Sequence, residues 1–328
     1  MINIGLAITK NKEKFILYKN LINDSVKCDQ LINIINVSCE KILYKNIKDL
    51  NILLTYSIKS SYLNKKNNQL KWIQIGNAGV DDSLIDEILK SKIIITNSRG
   101  INSVAVAEYV MSAILYFSKY FSNCISYKKE KIWTQWEIAK KIDTLENVTV
   151  GIIGYGAIGK EVAKRAKAFD MKVFATRRLQ KEKTKTKFVD ELLPISELNY
   201  IMTNSKYLII TCPLTPMTKN LINKNNLSLM SKDSYLINVS RGKVIAEKDL
   251  IKHLKNNKIQ GAALDVFSNE PLNQNSELFN LNNTFLSPHI SGNFKGYQIA
   301  LIKSFTDNLN RYLDKKSLKN RVCKKRLY

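Results

Sequence analysis

Three ionisable side chains of complementary chemistry each follow a short apolar run that predicts a β-strand. Arg241 lies in INVSRGKVI, Glu270 in ALDVFSNEP and His289 in FLSPHISGN. An arginine can bind a carboxylate with paired donors and polarise a nearby carbonyl group, and a histidine can pass a proton to or from the carbonyl oxygen. A glutamate beside the histidine would favour imidazolium and raise its pKa. These residue types suit hydride transfer at C2 of a 2-keto or 2-hydroxy acid.

The carboxyl ends of parallel strands form a common edge where ligands bind, so such residues can face one cleft, although sequence position alone leaves open whether they meet. The other histidine, His253, lies in LIKHLKNN, a pattern typical of a surface helix, and we expect its side chain to be solvated. We expect no metal, because Arg241 supplies the electrophile and no cluster of Cys and His has metal-site spacing.

A second signal is the glycine pattern in VTVGIIGYGAIGKEVAKRAKAF, which follows a predicted strand at 147–153 and opens a predicted helix at 157–169. GxGxxG in this position provides a tight turn, close approach of the backbone to a pyrophosphate and close helix–strand packing. The helix N-terminus adds unpaired N–H groups and the positive end of the helix dipole. The turn predicts a dinucleotide site with contacts from Gly154, Gly156, Ala157, Ile158 and Gly159.

The residues at the end of the next predicted strand, 172–176, indicate which dinucleotide binds. NAD sites usually carry Asp or Glu here to accept from the ribose 2′-hydroxyl, whereas this chain has Thr176, Arg177 and Arg178. A carboxylate would repel a 2′-phosphate, and guanidinium groups bind one with paired donors. We therefore expect NADP(H) to be preferred, with NAD(H) as the second option. The alternative is that one arginine stacks on adenine and the site is indifferent to the phosphate.

The scaffold for these residues is predicted by short β-rich runs that alternate with helical patterns, as in parallel sheets with crossover helices. The longest helical pattern, 104–128, is apolar around much of its circumference, which predicts burial in a core or at a subunit interface. The lysine-rich segment 178–187 is expected to be a solvated loop. The other predicted helices are 82–91, 246–257 and 296–313, and the other strands are 2–8, 51–58, 72–77, 92–98, 207–211, 234–239, 262–267 and 284–287.

Composition excludes several classes of protein. The chain has 328 residues, 45% of them hydrophobic, which suits two domains with packed cores. Its formal net charge is +24, but lysines are spread along the whole chain and arginines are few, which favours a generally basic surface over a nucleic-acid site. Five scattered cysteines (28, 39, 124, 212 and 323), no long apolar run and no secretory pattern predict a cytoplasmic protein with no nucleic-acid or membrane partner.

Several motifs, in order along nearly the whole chain, resemble those of the D-isomer-specific 2-hydroxyacid dehydrogenases. The closing segment DNLNRYLDKKSLKNRV (307–322) also looks like the end of that family. The motifs are IGNAGVDD (75–82), NSVAVAEY (102–109), VGIIGYGAIGKEVAKRAKAF (150–169), TCPLTPMTKNLI (211–222), INVSRGKVI (237–245), GAALDVFSNEPL (261–272) and SPHISG (287–292).

The resemblance implies roles residue by residue. Arg241, Glu270 and His289 match the family's catalytic Arg, Glu and His. The backbone N–H groups of Ala78 and Gly79 would hold the substrate carboxylate together with Arg241, although an ordinary tight turn is the alternative there. The further implied cofactor contacts are Cys212, Pro213 and Thr218 under the adenine and ribose, Val239 and Ser240 near the nicotinamide ribose, and Asp265 at the nicotinamide carboxamide.

The family architecture implies an α/β fold with two doubly wound parallel-sheet domains. A Rossmann cofactor domain at 99–289 would be inserted in a smaller flavodoxin-like substrate domain formed by 1–98 and 290–328, with the active site in the cleft between them. The helix at 104–128 would then be interface material in a homodimer. One departure from the family is Arg177, which replaces the usual acid.

Together these features predict a reductase that transfers hydride from NADP(H) to a small 2-keto acid, of the glyoxylate or hydroxypyruvate reductase type. The enzymatic alternative is an NAD-dependent 3-phosphoglycerate or glycerate dehydrogenase, with Lys59 and Arg99 as candidate phosphate ligands. Formate dehydrogenases are disfavoured because they pair the active-site histidine with Gln where this chain has Glu270. The non-enzymatic alternative is a dinucleotide-sensing protein like the corepressors of this fold, which the lack of long tails or added docking segments disfavours.

Overall fold

A computed structural model describes residues 1–27, 31–60, 63 and 69–328. The chain divides into two compact units: unit 1 comprises Met1–Asn102 and Phe294–Tyr328, and unit 2 comprises Ser103–Asn293. Cys28 lies outside the described residues, and the other four cysteines are free thiols. In the described part of the chain, no helix combines the length and the apolar character that a membrane crossing requires.

Unit 1 contains one parallel sheet whose strands appear in space in the order β2-β1-β3-β4-β5. Every residue of β3 and β4 is buried, as expected for inner strands that are covered on both faces. Helices α1 (Lys12–Ser25), α2 (Glu40–Asn46), α3 (Asp86–Lys90) and α11 (Tyr297–Leu313) belong to this unit. Its strands are β1 (Ile2–Ala7), β2 (Ile32–Asn36), β3 (Ile52–Thr55), β4 (Trp72–Ile75) and β5 (Ile94–Thr96).

Unit 2 contains a second sheet, in the order β13-β12-β11-β10-β6-β7-β9-β8, in which every pair is parallel except β8 with β9. Its direction of winding reverses between β6 and β10, the point where ligands bind in open α/β sheets. The strands are β6 (Thr149–Ile153), β7 (Lys172–Thr176), β8 (Thr184–Thr186), β9 (Val189–Leu193), β10 (Tyr207–Ile210), β11 (Tyr235–Asn238), β12 (Gly261–Leu264) and β13 (Thr284–Leu286).

Helices connect the strands of this second sheet. The predicted fold class, α/β with two doubly wound parallel sheets, is confirmed. The apolar face of α4 packs on α7 within one core, and the two helices are tied by Arg165, whose guanidinium lies 3.7 Å from Glu108. The helices of unit 2 are α4 (Ser103–Ser118), α5 (Phe121–Glu130), α6 (Gln135–Ala139), α7 (Ala157–Ala168), α8 (Leu198–Asn204), α9 (Lys224–Leu227) and α10 (Glu247–Lys255).

Two predictions about local structure were wrong. The helix expected at 104–128 is two helices, α4 and α5, because Tyr120 has a φ of 52° in the left-handed region, which an α-helix cannot include. The segment 178–187, expected to be a loop throughout, contains the short strand β8, which pairs with β9 at the edge of the sheet.

Candidate functional site

The glycine turn lies at the switch point of the unit 2 sheet, between the ends of β6 and β10. Gly154 has a φ of 104°, and a Cβ there would lie 2.7 Å from the Cys212 nitrogen. A Cβ on Gly159 would lie 2.7 Å from the Gly154 oxygen. Both positions therefore need glycine for the fold of the turn itself.

Gly156 differs from the other two glycines of the turn. A Cβ at Gly156 would have no atom of the described chain within 4 Å, so packing does not explain glycine at this position. The residue precedes α7, whose first N–H groups at Ala157 and Ile158 have no partner within the helix. Open space above a helix N-terminus fits a pyrophosphate, which explains why the smallest residue stands there.

The end of β7 carries the residues expected to select the cofactor. Thr176 is buried, and its hydroxyl oxygen has no hydrogen-bond partner among the described residues. Arg177 and Arg178 are exposed, and the Arg177 N–H donates to the Leu193 carbonyl at 3.0 Å, which fixes the backbone of the turn. An orphaned buried hydroxyl beside two exposed guanidinium-bearing residues suits the polar ribose end of a dinucleotide.

The segment after β10 is shaped by its own side chains. The Thr218 hydroxyl donates to the Pro213 carbonyl at 2.7 Å and accepts from the Thr215 N–H at 2.8 Å. Cys212 is buried, and burial raises the pKa of its thiol to about 12, so the residue serves as an uncharged packing group. Thr218, expected as a cofactor contact, thus has an observed structural role as well.

The predicted catalytic arginine follows β11 and is positioned by Asn238. The Asn238 carbonyl Oδ1 accepts from the Ser240 N–H at 3.1 Å and from the Ser240 hydroxyl at 3.0 Å, while Asn238 Nδ2 donates to the Arg241 carbonyl at 3.0 Å. A side chain at Gly242 would overlap the carbonyl group of Phe267. The turn that carries Arg241 is therefore pressed against the loop after β12, the loop that leads to Glu270.

Glu270 and His289 form a direct pair. His289 Nδ1 lies 2.7 Å from Glu270 Oε2, and Glu270 Oε1 accepts from the Phe267 N–H at 2.9 Å. An ionised carboxylate only accepts hydrogen bonds, so Nδ1 carries the proton and Nε2 is the ring atom left for a substrate. The imidazole side chain is 49% exposed, and the residue has a φ of 54°.

Asp265 organises the loop that carries His289. Its side chain is fully buried, and its carboxylate accepts from the Ser287 hydroxyl at 2.5 Å, the Ile290 N–H at 2.8 Å and the Ser291 N–H at 2.9 Å. These donors lie on both sides of His289 in the chain, so the buried charge holds the loop around the imidazole. The predicted contact of Asp265 with a nicotinamide carboxamide stays a prediction.

Two hydroxyl groups connect the Asp265 carboxylate to α4, which carries Tyr109. The Tyr109 and Ser287 hydroxyl oxygens lie 2.6 Å apart. Burial raises the pKa of Tyr109 to about 12, so its hydroxyl remains protonated at neutral pH. Sequence reasoning missed Asn238, Tyr109 and Ser287; the only sequence signal was an Asn at a strand end, a residue type that commonly bonds to the backbone two residues on.

Unit 1 holds the predicted carboxylate-binding turn, directly after β4. A bend at 76–78 leads into Gly79, and the N–H groups of Asn77, Ala78 and Gly79 have no hydrogen-bond acceptor among the described residues. The Ala78 carbonyl accepts from Asn97 Nδ2 at 2.8 Å, so the backbone is held from the opposite side. Adjacent unpaired N–H groups form an anion-binding concavity.

The expectation for His253 was wrong. The residue is only 3% exposed, and its Nδ1 lies 2.8 Å from the Asp249 carbonyl oxygen. Its Nε2 is buried without a hydrogen-bond partner among the described residues. On α10 the residue lies on the same side as the buried Leu250 and Leu254, so it belongs to the core.

Known proteins share sequence and fold with this chain. Residues 111–291, more than half of the chain, match the family model described as D-isomer specific 2-hydroxyacid dehydrogenase, NAD binding domain. A glyoxylate reductase of Pyrococcus horikoshii is 30% identical over 90% of this chain and 83% of its own length. A glyoxylate reductase of Thermofilum pendens is 34% identical over 76% of this chain and 74% of its own.

Solved structures show the same architecture. A D-isomer specific 2-hydroxyacid dehydrogenase family protein from Aeromonas salmonicida has a TM-score of 0.84 and 25% identity, covering 98% of this chain and 99% of its own. An NADPH-dependent glyoxylate/hydroxypyruvate reductase from Sinorhizobium meliloti, in complex with NADP and sulfate, has a TM-score of 0.85 and 20% identity, and the match covers both chains completely.

The chain belongs to the D-isomer specific 2-hydroxyacid dehydrogenase family, which confirms the resemblance seen in its motifs. It is therefore an oxidoreductase that uses a nicotinamide dinucleotide and acts on a small hydroxy or keto acid.

Proposed function

We propose that the protein reduces a small 2-keto acid, such as glyoxylate or hydroxypyruvate, to the D-2-hydroxy acid with NADPH. The observation that carries this proposal is the 2.7 Å pair between Glu270 and His289. Glu270 follows β12 and His289 follows β13. Arg241 follows the neighbouring β11, so all three residues lie at the same edge of the sheet. The glyoxylate reductases among the relatives support the substrate class.

The residues of this chain divide the work of the reaction. The chemistry that a bound nicotinamide supplies is hydride transfer to C2 of the keto acid. His289 donates a proton from Nε2 to the C2 oxygen as negative charge develops there, and Glu270 stabilises the imidazolium by accepting from Nδ1. Arg241 holds the substrate carboxylate and polarises the C2 carbonyl. In unit 1, the unpaired N–H groups of the turn at 77–79 are suited to donate to a substrate carboxylate.

The role of His289 has a direct test. In His289→Ala, turnover should fall by at least about a hundredfold, the usual contribution of a general acid. The dissociation constant for NADPH, measured by fluorescence titration, should stay within about threefold because the glycine turn is untouched. Loss of NADPH binding together with turnover would instead make His289 a structural residue.

We propose that Arg177 and Arg178 bind the 2′-phosphate of NADPH, and that the orphaned Thr176 hydroxyl accepts or donates a bond at the same ribose. In Arg177→Asp, the ratio of kcat/KM for NADPH to that for NADH should fall by at least about tenfold, because a charge-assisted bond is replaced by repulsion. Arg326→Asp makes the same charge change at an exposed position of unit 1 and is the matched control. An unchanged ratio in Arg177→Asp would refute the phosphate site.

The substrate can be identified by following absorbance at 340 nm with NADPH or NADH and a panel of 2-keto acids. Oxidation of NADPH with glyoxylate or hydroxypyruvate supports the proposal. A strong preference for phosphohydroxypyruvate would favour the phosphoglycerate alternative. A D-3-phosphoglycerate dehydrogenase of Methanocaldococcus jannaschii is 32% identical over 75% of this chain and 47% of its own length. Tight NADPH binding without any turnover would favour the dinucleotide-sensing role.

We also propose a homodimer, formed by α5, α6 and the segments next to them rather than by the buried α4. Trp133 is 74% exposed and Trp136 is 71% exposed. Burying both against a second copy would remove on the order of 300 Å² from water per copy, and the exposed apolar side chains beside them bring the patch toward the roughly 800 Å² of a standard interface. Light scattering should show a dimer that Trp133→Glu with Trp136→Glu converts to a monomer, whereas the exposed Met217→Glu should not. The other exposed apolar side chains here are Phe121, Ile125, Tyr127, Ile132 and Ile142.

A further inference from the structure

The bend after β4 is held by bonds to four successive carbonyl groups. The Ile75 carbonyl accepts from the Ser98 hydroxyl at 2.8 Å, and the Asn77 carbonyl accepts from the Ser98 N–H at 3.0 Å. The Gly76 carbonyl accepts from the Tyr297 hydroxyl at 2.5 Å. The fourth bond is the one from Asn97 Nδ2 to the Ala78 carbonyl.

These bonds fix the direction of the unpaired N–H groups. In a trans peptide the C=O of one residue and the N–H of the next lie in one plane and point in opposite directions. Holding the carbonyls of Gly76, Asn77 and Ala78 toward the body of unit 1 therefore turns the N–H groups of the following three residues, 77 to 79, away from it. Those are the N–H groups that have no acceptor among the described residues.

Tyr297 is the one of these donors that comes from the C-terminal part of the chain, at the first position of α11. Burial raises the pKa of Tyr297 to about 12, so its hydroxyl remains a donor at every working pH. A side chain at position 76 would clash, because a Cβ there would lie 2.6 Å from the ring of Tyr56. The hydroxyl of Tyr297 therefore fixes the orientation of the peptide group between Gly76 and Asn77.

We propose that Tyr297 is a positioning residue of the substrate carboxylate site, an inference that rests on the proposed function. Its hydroxyl holds the Gly76 carbonyl so that the Asn77 N–H faces the carboxylate. Asn97 acts in the same way on the Gly79 N–H, through the Ala78 carbonyl. Neither side chain needs to touch the substrate, and both act through the direction of the backbone dipoles.

Oxalate binding to the full chain saturated with NADP⁺, measured by calorimetry, tests this inference without turnover. Tyr297→Phe should raise the dissociation constant for oxalate about threefold to tenfold, the equivalent of one net hydrogen bond. Asn97→Ala removes a different donor and should act in the same direction. Tyr312→Phe is the matched control: it removes a hydroxyl from the same helix, and that hydroxyl has no hydrogen bond among the described residues.

Kinetics with the keto acid give a second measurement. Tyr297→Phe should raise KM for the keto acid while kcat and KM for NADPH stay within about twofold, because the carboxylate is held equally in the ground and transition states. A general structural defect would change all three. The inference is overturned if Tyr297→Phe and Asn97→Ala bind oxalate as the wild type does.

Failure of the proposed function can be told apart from failure of this inference. If the wild type binds oxalate but reduces no keto acid, the proposed reaction is wrong and the oxalate series still decides the role of Tyr297. If the wild type does not bind oxalate, the carboxylate site and its positioning residues are refuted together. If one variant does not fold, as judged by circular dichroism, the other decides.

Discussion

Replacing Asp265 with asparagine tests whether the buried carboxylate holds the loop that carries His289. The two side chains have nearly the same shape, but asparagine has one acceptor oxygen and one amide nitrogen. Donors approach both carboxylate oxygens: the Ser287 hydroxyl and the Ile290 N–H on Oδ1, and the Ser291 N–H on Oδ2. Either orientation of the amide therefore sets its NH₂ group against an N–H group of the loop.

The loss of stability in Asp265→Asn follows from these contacts. A hydrogen bond to a charged group contributes roughly 1.5–3 kcal/mol and a neutral one roughly 0.5–1.5 kcal/mol. Asp265→Asn loses one charge-assisted bond and weakens the others, and relief from burying a charge offsets part of the loss. We expect the free energy of unfolding to fall by about 3 kcal/mol. Ser287→Ala, which removes a single donor, should cost about 1 kcal/mol.

Urea unfolding followed by circular dichroism measures the stability, and steady-state turnover and NADPH titration measure the site. Turnover of Asp265→Asn should fall at least about tenfold because the imidazole is displaced, while the NADPH dissociation constant should change by less than about threefold. Asp249→Asn, at a more exposed carboxylate that accepts from the Lys224 N–H at 2.9 Å, is the matched control. Unchanged stability with NADPH binding weakened tenfold would refute the loop role and favour a direct cofactor contact.

Three further predictions concern unit 2. Gly156→Ala should change the free energy of unfolding by less than about 0.5 kcal/mol yet weaken NADPH binding at least tenfold in calorimetry. Gly154→Ala should instead lower the free energy of unfolding by about 1–3 kcal/mol, because of its positive φ and the close Cys212 backbone. NADPH affinity in Gly156→Ala equal to that of the wild type would contradict the pyrophosphate site. His253→Leu should leave urea stability within about 1 kcal/mol, since the loss of the Nδ1 bond to the Asp249 carbonyl is offset by removing the buried, unpaired Nε2, and a larger loss would show that Nε2 has a partner in solution. Burial opposes ionisation of Asp190, but Lys167 and the Val173 N–H outweigh it and lower its pKa, so its contribution is present above about pH 4 and lost as pH falls further. Thermal unfolding from neutral pH to about pH 3 should therefore show a smaller loss in Asp190→Asn than in the wild type, and parallel curves would refute the assignment.

The sequence predicted well those features that depend on strand ends. Arg241, Glu270 and His289 were predicted to follow strands because each comes after a short apolar run, and the structure places them after β11, β12 and β13; their catalytic roles stay predictions. The glycine turn was found because its spacing is imposed by backbone contacts that any such turn must make. Strand β2 (INIIN) was missed because its asparagines interrupt the apolar pattern.

Other features had weaker local signals or were misinterpreted. The break at Tyr120 between α4 and α5 has no Gly or Pro to mark it, and tertiary packing decides where the chain turns. The buried His253 could have been predicted, because it lies three residues after Leu250 and next to Leu254 on the apolar face of α10. The network of Asp265 with Ser287 and Tyr109 joins residues up to 178 positions apart, a pairing that no single sequence reveals.

The antiparallel strand β8 affects the tendency of the sheet edge to aggregate. A parallel sheet that ended at β9 would present unpaired N–H and C=O groups to any extended chain, which is how aggregation through sheet edges begins. Strand β8 covers that row with three exposed residues, and the exposed lysines at 185 and 187 place positive charge at the new edge, while Lys183 pairs with Glu191 at 2.8 Å. A second molecule that added a strand there would have to desolvate those ammonium groups and set them against its own. The exposed basic residues of this segment therefore disfavour the addition of a further strand at this edge of the sheet.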